Sequence, residues 1–161
     1  VLKQTPASTP EAQTTLANAI QIGNPVSYER AVRVLREFDG IVEQASEQEI
    51  VDAVVEADAT GLFNCPHTGV ALAAFKKALA RGDIKKGERV VVISTAHGLK
   101  FTDFKVKYHR GSLDGLRSDA ANADIVLPPR YQAVRDTIFR EIDQRLGRSS
   151  QSGSQVERSH G

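Results

Sequence analysis

The chain has 161 residues, 40% of them hydrophobic and 25% charged, which fits one globular domain. Lys and Arg total 21 against 20 Asp and Glu, and a net charge of +1 argues against a nucleic-acid binder, which carries a basic excess on one face. One cysteine excludes an internal disulfide framework, and no apolar run approaches the roughly 18 residues of a membrane span.

No charged, apolar, small-residue signal pattern opens the chain, so a reducing, cytoplasmic compartment is expected. The sequence has no Met and begins with Val1, so a processed chain or a piece of a larger one is expected. Residues 1–17 are polar, carry Pro6 and Pro10, and read as a loop or linker from an upstream part. Ala19-Ile20-Gln21-Ile22 is apolar and is cut off by the turn Gly23-Asn24-Pro25. Ser27 is placed to cap a helix whose apolar face is Ala31, Val34, Leu35 and Phe38. Gly40 suits the left-handed position that ends it. Ile41-Val42 then begins a short strand.

Ser46 and Glu49 form a capping box ahead of a helix carrying Ile50, Val51, Val54 and Val55. Leu62-Phe63 reads as another short strand closed by Pro66. An alanine-rich helix follows, with Ala71, Ala74, Phe75, Ala78 and Leu79 as its expected buried face and Gly82 as its stop. Lys85-Lys86-Gly87-Glu88 is a solvated turn. Arg89–Ile93 has no polar alternation, which suits a strand buried on both faces of a parallel sheet. Residues 101–127 are weakly periodic. Pro128-Pro129 precedes a last helix with Tyr131, Val134, Ile138 and Ile142 on one side. From Gly147 the chain is too polar to bury and reads as a disordered tail. Short strands alternating with helices predict an α/β fold with a largely parallel sheet. Only about three strands are legible, against about five or six in a mean sheet, which again points to a partial domain.

Ser94-Thr95-Ala96-His97-Gly98-Leu99-Lys100 follows the expected buried strand. Ligands of open parallel sheets bind outside the carboxyl ends of strands, so Ser94, Thr95 and His97 are candidates, with Gly98 permitting close approach. The alternative is a plain strand-to-loop turn. A Ser or Thr nucleophile with His97 as base would need an orienting acid and an oxyanion hole, and no G-x-S-x-G elbow is present. Cys65 and His67 have no second Cys or His at ligand spacing, so no metal is expected. Thr68 and the first amides of the following helix favour an anion, or else simply cap a buried helix. No Walker A or GxGxxG motif occurs, and nothing in its spacing singles out Lys100 as a Schiff-base lysine.

Read in order, residues 17–27 (Ala-Asn-Ala-Ile-Gln-Ile-Gly-Asn-Pro-Val-Ser), 65–72 (Cys-Pro-His-Thr-Gly-Val-Ala-Leu) and 94–100 resemble the carboxy-terminal part of the plant-like threonine synthases. The resemblance runs from about residue 5 to about residue 146, and three ordered motifs are far more specific than any one of them. It implies a pyridoxal-phosphate enzyme of tryptophan-synthase-β-like fold, residues 18–146 being the carboxy-terminal part of its large domain. It implies conversion of O-phospho-L-homoserine and water to L-threonine and phosphate, by a homodimer when full length. Partners would be that small-molecule substrate, without nucleic acid or membrane. The resemblance carries a threonine beside the cofactor's pyridine nitrogen onto Thr95, and a loop lining the cofactor's face onto Gly23 and Asn24. His67, Thr68 and Ser94 fall near the wall of the active site. The family's Schiff-base lysine and glycine-rich phosphate loop match no segment here, so no catalytic residue is assigned and the isolated chain is expected to be inactive. A plant source would imply a plastid. The competing readings are a related lyase, such as a threonine dehydratase or cysteate synthase, or an inactive binding or subunit module.

Overall fold

The computed structural model describes residues 11–156, with side chains to residue 147. It divides into two compact units, Val1–Ala123 and Asp124–Gly161. The first unit contains α1 (Tyr28–Glu37), α2 (Glu47–Asp58), α3 (Pro66–Arg81) and α4 (Thr102–His109), with short 3-10 turns at Asn18–Ile20 and Gly98–Phe101. The second contains α5 (Tyr131–Val156).

α2 starts where its capping box predicts. Ser46 Oγ accepts from the Glu49 amide at 3.3 Å, and Glu49 Oε2 accepts from the Ser46 amide at 2.7 Å. Lys77 on α3 pairs with the same carboxylate at 2.9 Å. These contacts, the Lys77 hydrogen bond foremost, hold the Glu49 carboxyl at about 2. Ile50, Val51, Ala53 and Val54 form the buried face of α2.

α3 meets that face on a stripe other than the expected one. Its buried residues are Pro66, Thr68, Gly69 and Ala73, while Ala71, Ala74, Phe75 and Ala78 are half-buried and Leu79 is exposed. The reason is backbone proximity. A Cβ on Gly69 would stand 2.5 Å from Val54 Cγ2 and 2.8 Å from Ile50 O, so the smallest residue of α3 marks its closest approach to α2. Periodicity identifies apolar positions, but small side chains decide where two helices touch.

α4 completes this core. Phe104 and Tyr108 join Val51, Val54 and Leu113, with Leu16, Val55, Phe101 and Leu116 packed around them. The sequence of α4 has almost no amphipathic period, which is why residues 101–127 look featureless. Leu16 and Ala17 belong to the packed structure rather than to a free linker. Ala17 is fully buried, and the Leu16 amide donates to Glu47 Oε2 at 2.8 Å. Residues 1–10 of the expected linker lie outside the described residues.

No strand forms among the described residues, so the expected parallel sheet is not seen there. Ile41-Val42, Leu62-Phe63 and Arg89–Ile93 run without ladder partners, and Val91 and Ile93 are 88% and 73% exposed. A strand needs a neighbour about 4.8 Å away for its backbone groups. A β-branched run fixes a preference for extended backbone but does not supply that neighbour. One isolated antiparallel bridge remains, between Asn64 and His97.

α1 begins after Ser27, though the Ser27 side chain makes no cap bond. Its C-terminal turn differs by one residue from expectation. Asp39, not Gly40, takes the left-handed conformation at φ 51°, and the Gly40 amide donates back to Leu35 O at 2.7 Å. A Cβ on Gly40 would meet Leu35 Cδ2 at 2.6 Å and Leu35 Cα at 3.3 Å, so a larger residue would make the Leu35 side chain shift. None of the apolar face of α1 is buried.

In the second unit, Ile125 and Leu127 lie with Thr137, Ile138 and Ile142 of α5 around a cleft of about 310 Å³. The α5 backbone stays helical to Val156, beyond Gly147, where composition places a disordered tail. Extending an existing helix forms one hydrogen bond per residue fixed, without a new nucleus. Residues 157–161 lie outside the described residues.

Ser46→Ala removes the cap acceptor and is expected to lower unfolding free energy by about 1 kcal/mol in denaturant titration. Gly69→Ala overpacks the α2–α3 contact and is expected to cost about 1–3 kcal/mol in the same assay. Glu49 is depressed in the folded state, so the unfolded chain binds its proton first. The stability it contributes is therefore present above pH 4.5 and falls as pH drops from 4.5 toward 2.

Candidate functional site

The start of α3 and the turn Ser94–Gly98 come together. Pro66 occupies the first helical position with Cys65 as N-cap, so Thr68 lies inside the helix rather than at its cap. Cys65 is fully buried, and its Sγ is 3.3 Å from Thr68 Oγ1. Thr68 Oγ1 is 3.1 Å from Ser94 Oγ, and Ser94 Oγ donates to Asn64 Oδ1 at 3.2 Å. The Asn64 Nδ2 group donates to Leu62 O at 2.8 Å, which turns Oδ1 toward Ser94.

Each hydroxyl has one proton, so this chain has a direction. With Ser94 donating to Asn64, Thr68 donates to Ser94 and the neutral Cys65 thiol donates to Thr68. A Cys65 thiolate would turn the Thr68 proton back to sulfur. Burial acts to raise the Cys65 pKa. Hydrogen bonds from the Thr68 side chain, from the Thr68 and His67 amides and from the Thr95 side chain outweigh it, and the thiol is lowered. The His67 and Thr68 amides at this helix start thus favour negative charge on the protein's own sulfur.

Ser94 and Thr95 are exposed residues, but the Ser94 hydroxyl is turned to Thr68 and Asn64. His97 does not act on Ser94. Its Nδ1 accepts from the Leu99 amide at 3.2 Å, and its ring tilts against Phe63 at 5.5 Å. Gly98 does permit close approach, but to protein backbone. Its amide donates to Phe63 O at 2.8 Å, and a Cβ there would meet the Phe63 ring at 2.7 Å and Asn64 O at 2.8 Å.

His67 joins the amino-terminal segment to this site. Its Nε2 accepts from the Ala19 amide at 2.9 Å, and its ring lies 4.9 Å from Phe101. An accepting Nε2 requires the proton on Nδ1. Burial depresses the His67 pKa below 6.5. Gly23 and Asn24 follow this anchor, in the loop between the first 3-10 turn and α1. Asn64 is the site residue that sequence reasoning passes over, because a lone Asn before Cys65 has no motif of its own. A cleft of about 790 Å³ among Leu16, Glu47, Phe101, Lys107 and Leu113 contains none of the site hydroxyls.

Residues 2–96 match the family described as pyridoxal-phosphate dependent enzyme. The chain belongs to that family. It is 48% identical over 128 residues to "Threonine synthase 2, chloroplastic" of Arabidopsis thaliana, a match spanning 80% of this chain and 25% of that protein. It is 34% identical over 110 residues to a threonine synthase of Bacillus sp. (strain ULM1), spanning 68% of this chain and 31% of the relative. It is 38% identical over 94 residues to the threonine synthase of Methanocaldococcus jannaschii, spanning 58% and 23%. The chain therefore spans only 25% and 31% of the first two relatives. The donor set on the exposed turn fits the family's cofactor. The Ser94 proton is already held by Asn64, so the Thr95 hydroxyl is the neutral donor left, and with no carboxylate in the turn it suits an uncharged ring nitrogen. No helix among the described residues is long and apolar enough to cross a membrane.

Protonating His67 would set a donor against the Ala19 amide. Because its folded pKa is lowered, the contact is present above pH 6.5 and lost as pH falls through the depressed value. NMR titration is expected to show a His67 midpoint below 6.5, with Ala19 amide exchange accelerating over the same range.

Proposed function

We propose that this chain is part of a threonine synthase, which converts O-phospho-L-homoserine and water to L-threonine and phosphate. In this reading it forms the carboxy-terminal part of the large domain of a tryptophan-synthase-β-like enzyme. Arg89–Ile93 would then pair in a mostly parallel, helix-flanked sheet with strands from the remaining length of such a protein. The full-length enzyme is a homodimer, cytoplasmic outside plants.

The observation that carries the reading is the meeting of Thr68 and Ser94 at 3.1 Å. It puts two of the three resemblance motifs in one place, and the His67–Ala19 bond brings the third beside them. The names of the similar proteins support the same activity.

Pyridoxal phosphate, when bound, supplies an electron sink. Thr95 is the residue of this chain that would donate to its pyridine nitrogen. A hydroxyl donates a hydrogen bond but cannot drive full protonation of the ring, so the sink is weaker than one facing a carboxylate. That suits a reaction that expels phosphate and adds water while avoiding transamination. Ser94 is held by Asn64 and Thr68, and so keeps Thr95 in place. Gly23 and Asn24 would line the cofactor's face, with His67 anchoring their segment through Ala19. His67 and Thr68 form part of the wall.

The test is product analysis with the full-length polypeptide that carries this chain. Threonine and phosphate from O-phosphohomoserine are expected, and turnover of threonine itself without use of the phosphorylated substrate would sink the assignment. Thr95→Val is expected to shift cofactor absorption and to cost roughly tenfold in turnover, about the worth of one buried hydrogen bond. The 161-residue chain alone is expected to form no threonine.

A further inference from the structure

A buried ion pair lies behind the site and has no role in the chemistry above. The Lys105 ammonium on α4 pairs with Asp58 Oδ2 at the end of α2, and their side chains are only 7% and 19% exposed. It also lies 4.5 Å from the centre of the Phe63 ring and 5.6 Å from that of Phe104. Burial lowers the Lys105 pKa, while the hydrogen bond and charge of Asp58 oppose that fall. The second oxygen of Asp58, Oδ1, accepts from the Asn64 amide at 2.9 Å. One carboxylate thus ties together the end of α2, α4 and the residue that precedes Cys65.

Burying an ion pair is a poor way to gain stability, since apolar residues of similar volume do as well or better. What such a pair adds is direction. Here it fixes the Phe63 ring from one side and the Asn64 amide from the other. Those two residues form the seat of the Ser94–Gly98 turn. Phe63 O accepts from the Gly98 amide, the Phe63 ring and Asn64 O fill the space beside Gly98, and Asn64 Oδ1 accepts from Ser94. We infer that Asp58 and Lys105 are positioning residues, which set the Ser94–Gly98 turn by holding Phe63 and Asn64 against α2 and α4. The consequence for the cofactor rests on the proposed function, but the placement of the turn does not.

The test separates positioning from mere stability. In the chain carrying Asp58→Leu with Lys105→Met, thermal unfolding is expected within a few degrees of the unaltered chain. The Gly98 amide is expected to exchange at least about tenfold faster in that variant, while Val54 in the middle of α2 is unchanged. If Gly98 exchange is unchanged, or accelerates only in step with Val54, the pair only stabilises and the inference is overturned. Should the double variant lose cooperative melting, Asp58→Asn decides. It keeps an oxygen acceptor for the Asn64 amide and removes the charge that holds Lys105. Faster Gly98 exchange by about threefold or more supports positioning, and unchanged exchange overturns it. No cofactor enters these measurements. A failure to bind pyridoxal phosphate would therefore count against the proposed function and leave this inference standing.

Discussion

The site depends on one backbone hydrogen bond, from the Gly98 amide to Phe63 O at 2.8 Å. It closes the chain between two segments that are far apart in sequence, beside the isolated antiparallel bridge of Asn64 and His97. It holds the turn in which Ser94 meets Asn64 and Thr68. The bond forms only because residue 98 has no Cβ. Any side chain there would run into the Phe63 ring and the Asn64 carbonyl.

Gly69 meets the same requirement one layer deeper, where α3 presses on α2. Neither glycine has a left-handed φ, in contrast to Gly82 at φ 80°, which ends α3. The two kinds of glycine look identical in sequence. Their work differs: Gly82 relieves the backbone strain of a helix stop, and Gly69 and Gly98 let two pieces of chain approach. The position of α3, and with it Cys65, His67 and Thr68, follows from the second kind.

The core behind the site is small, and much apolar surface is left open. Phe38 on α1 is 72% exposed, Val91 and Ile93 more so, and Leu79 on α3 is also exposed. Apolar faces of this extent belong against other protein. The chain spans 25% of the length of the Arabidopsis relative, so under the proposed reading these faces are where the remaining length of such an enzyme packs. The same reading gives the extended run Arg89–Ile93 the strand neighbours it lacks here. Two features of the chain agree on this point, the solvent-facing apolar residues and the unpaired backbone beside them.

The sequence by itself determined the local structure and the family. The Ser46–Glu49 box, the Gly82 stop and the Lys85–Glu88 turn depend on neighbours a few residues away, so their chemistry is legible in order along the chain. The family is legible because its motifs are contiguous stretches. Tertiary structure alone decided the rest. It chose the Gly69 stripe of α3 over the alanine face and made a core element of the aperiodic α4. Among the described residues it also left the β-branched run unpaired. Each of these depends on which atoms stand opposite one another across a gap in sequence, and periodicity carries no information about that distance.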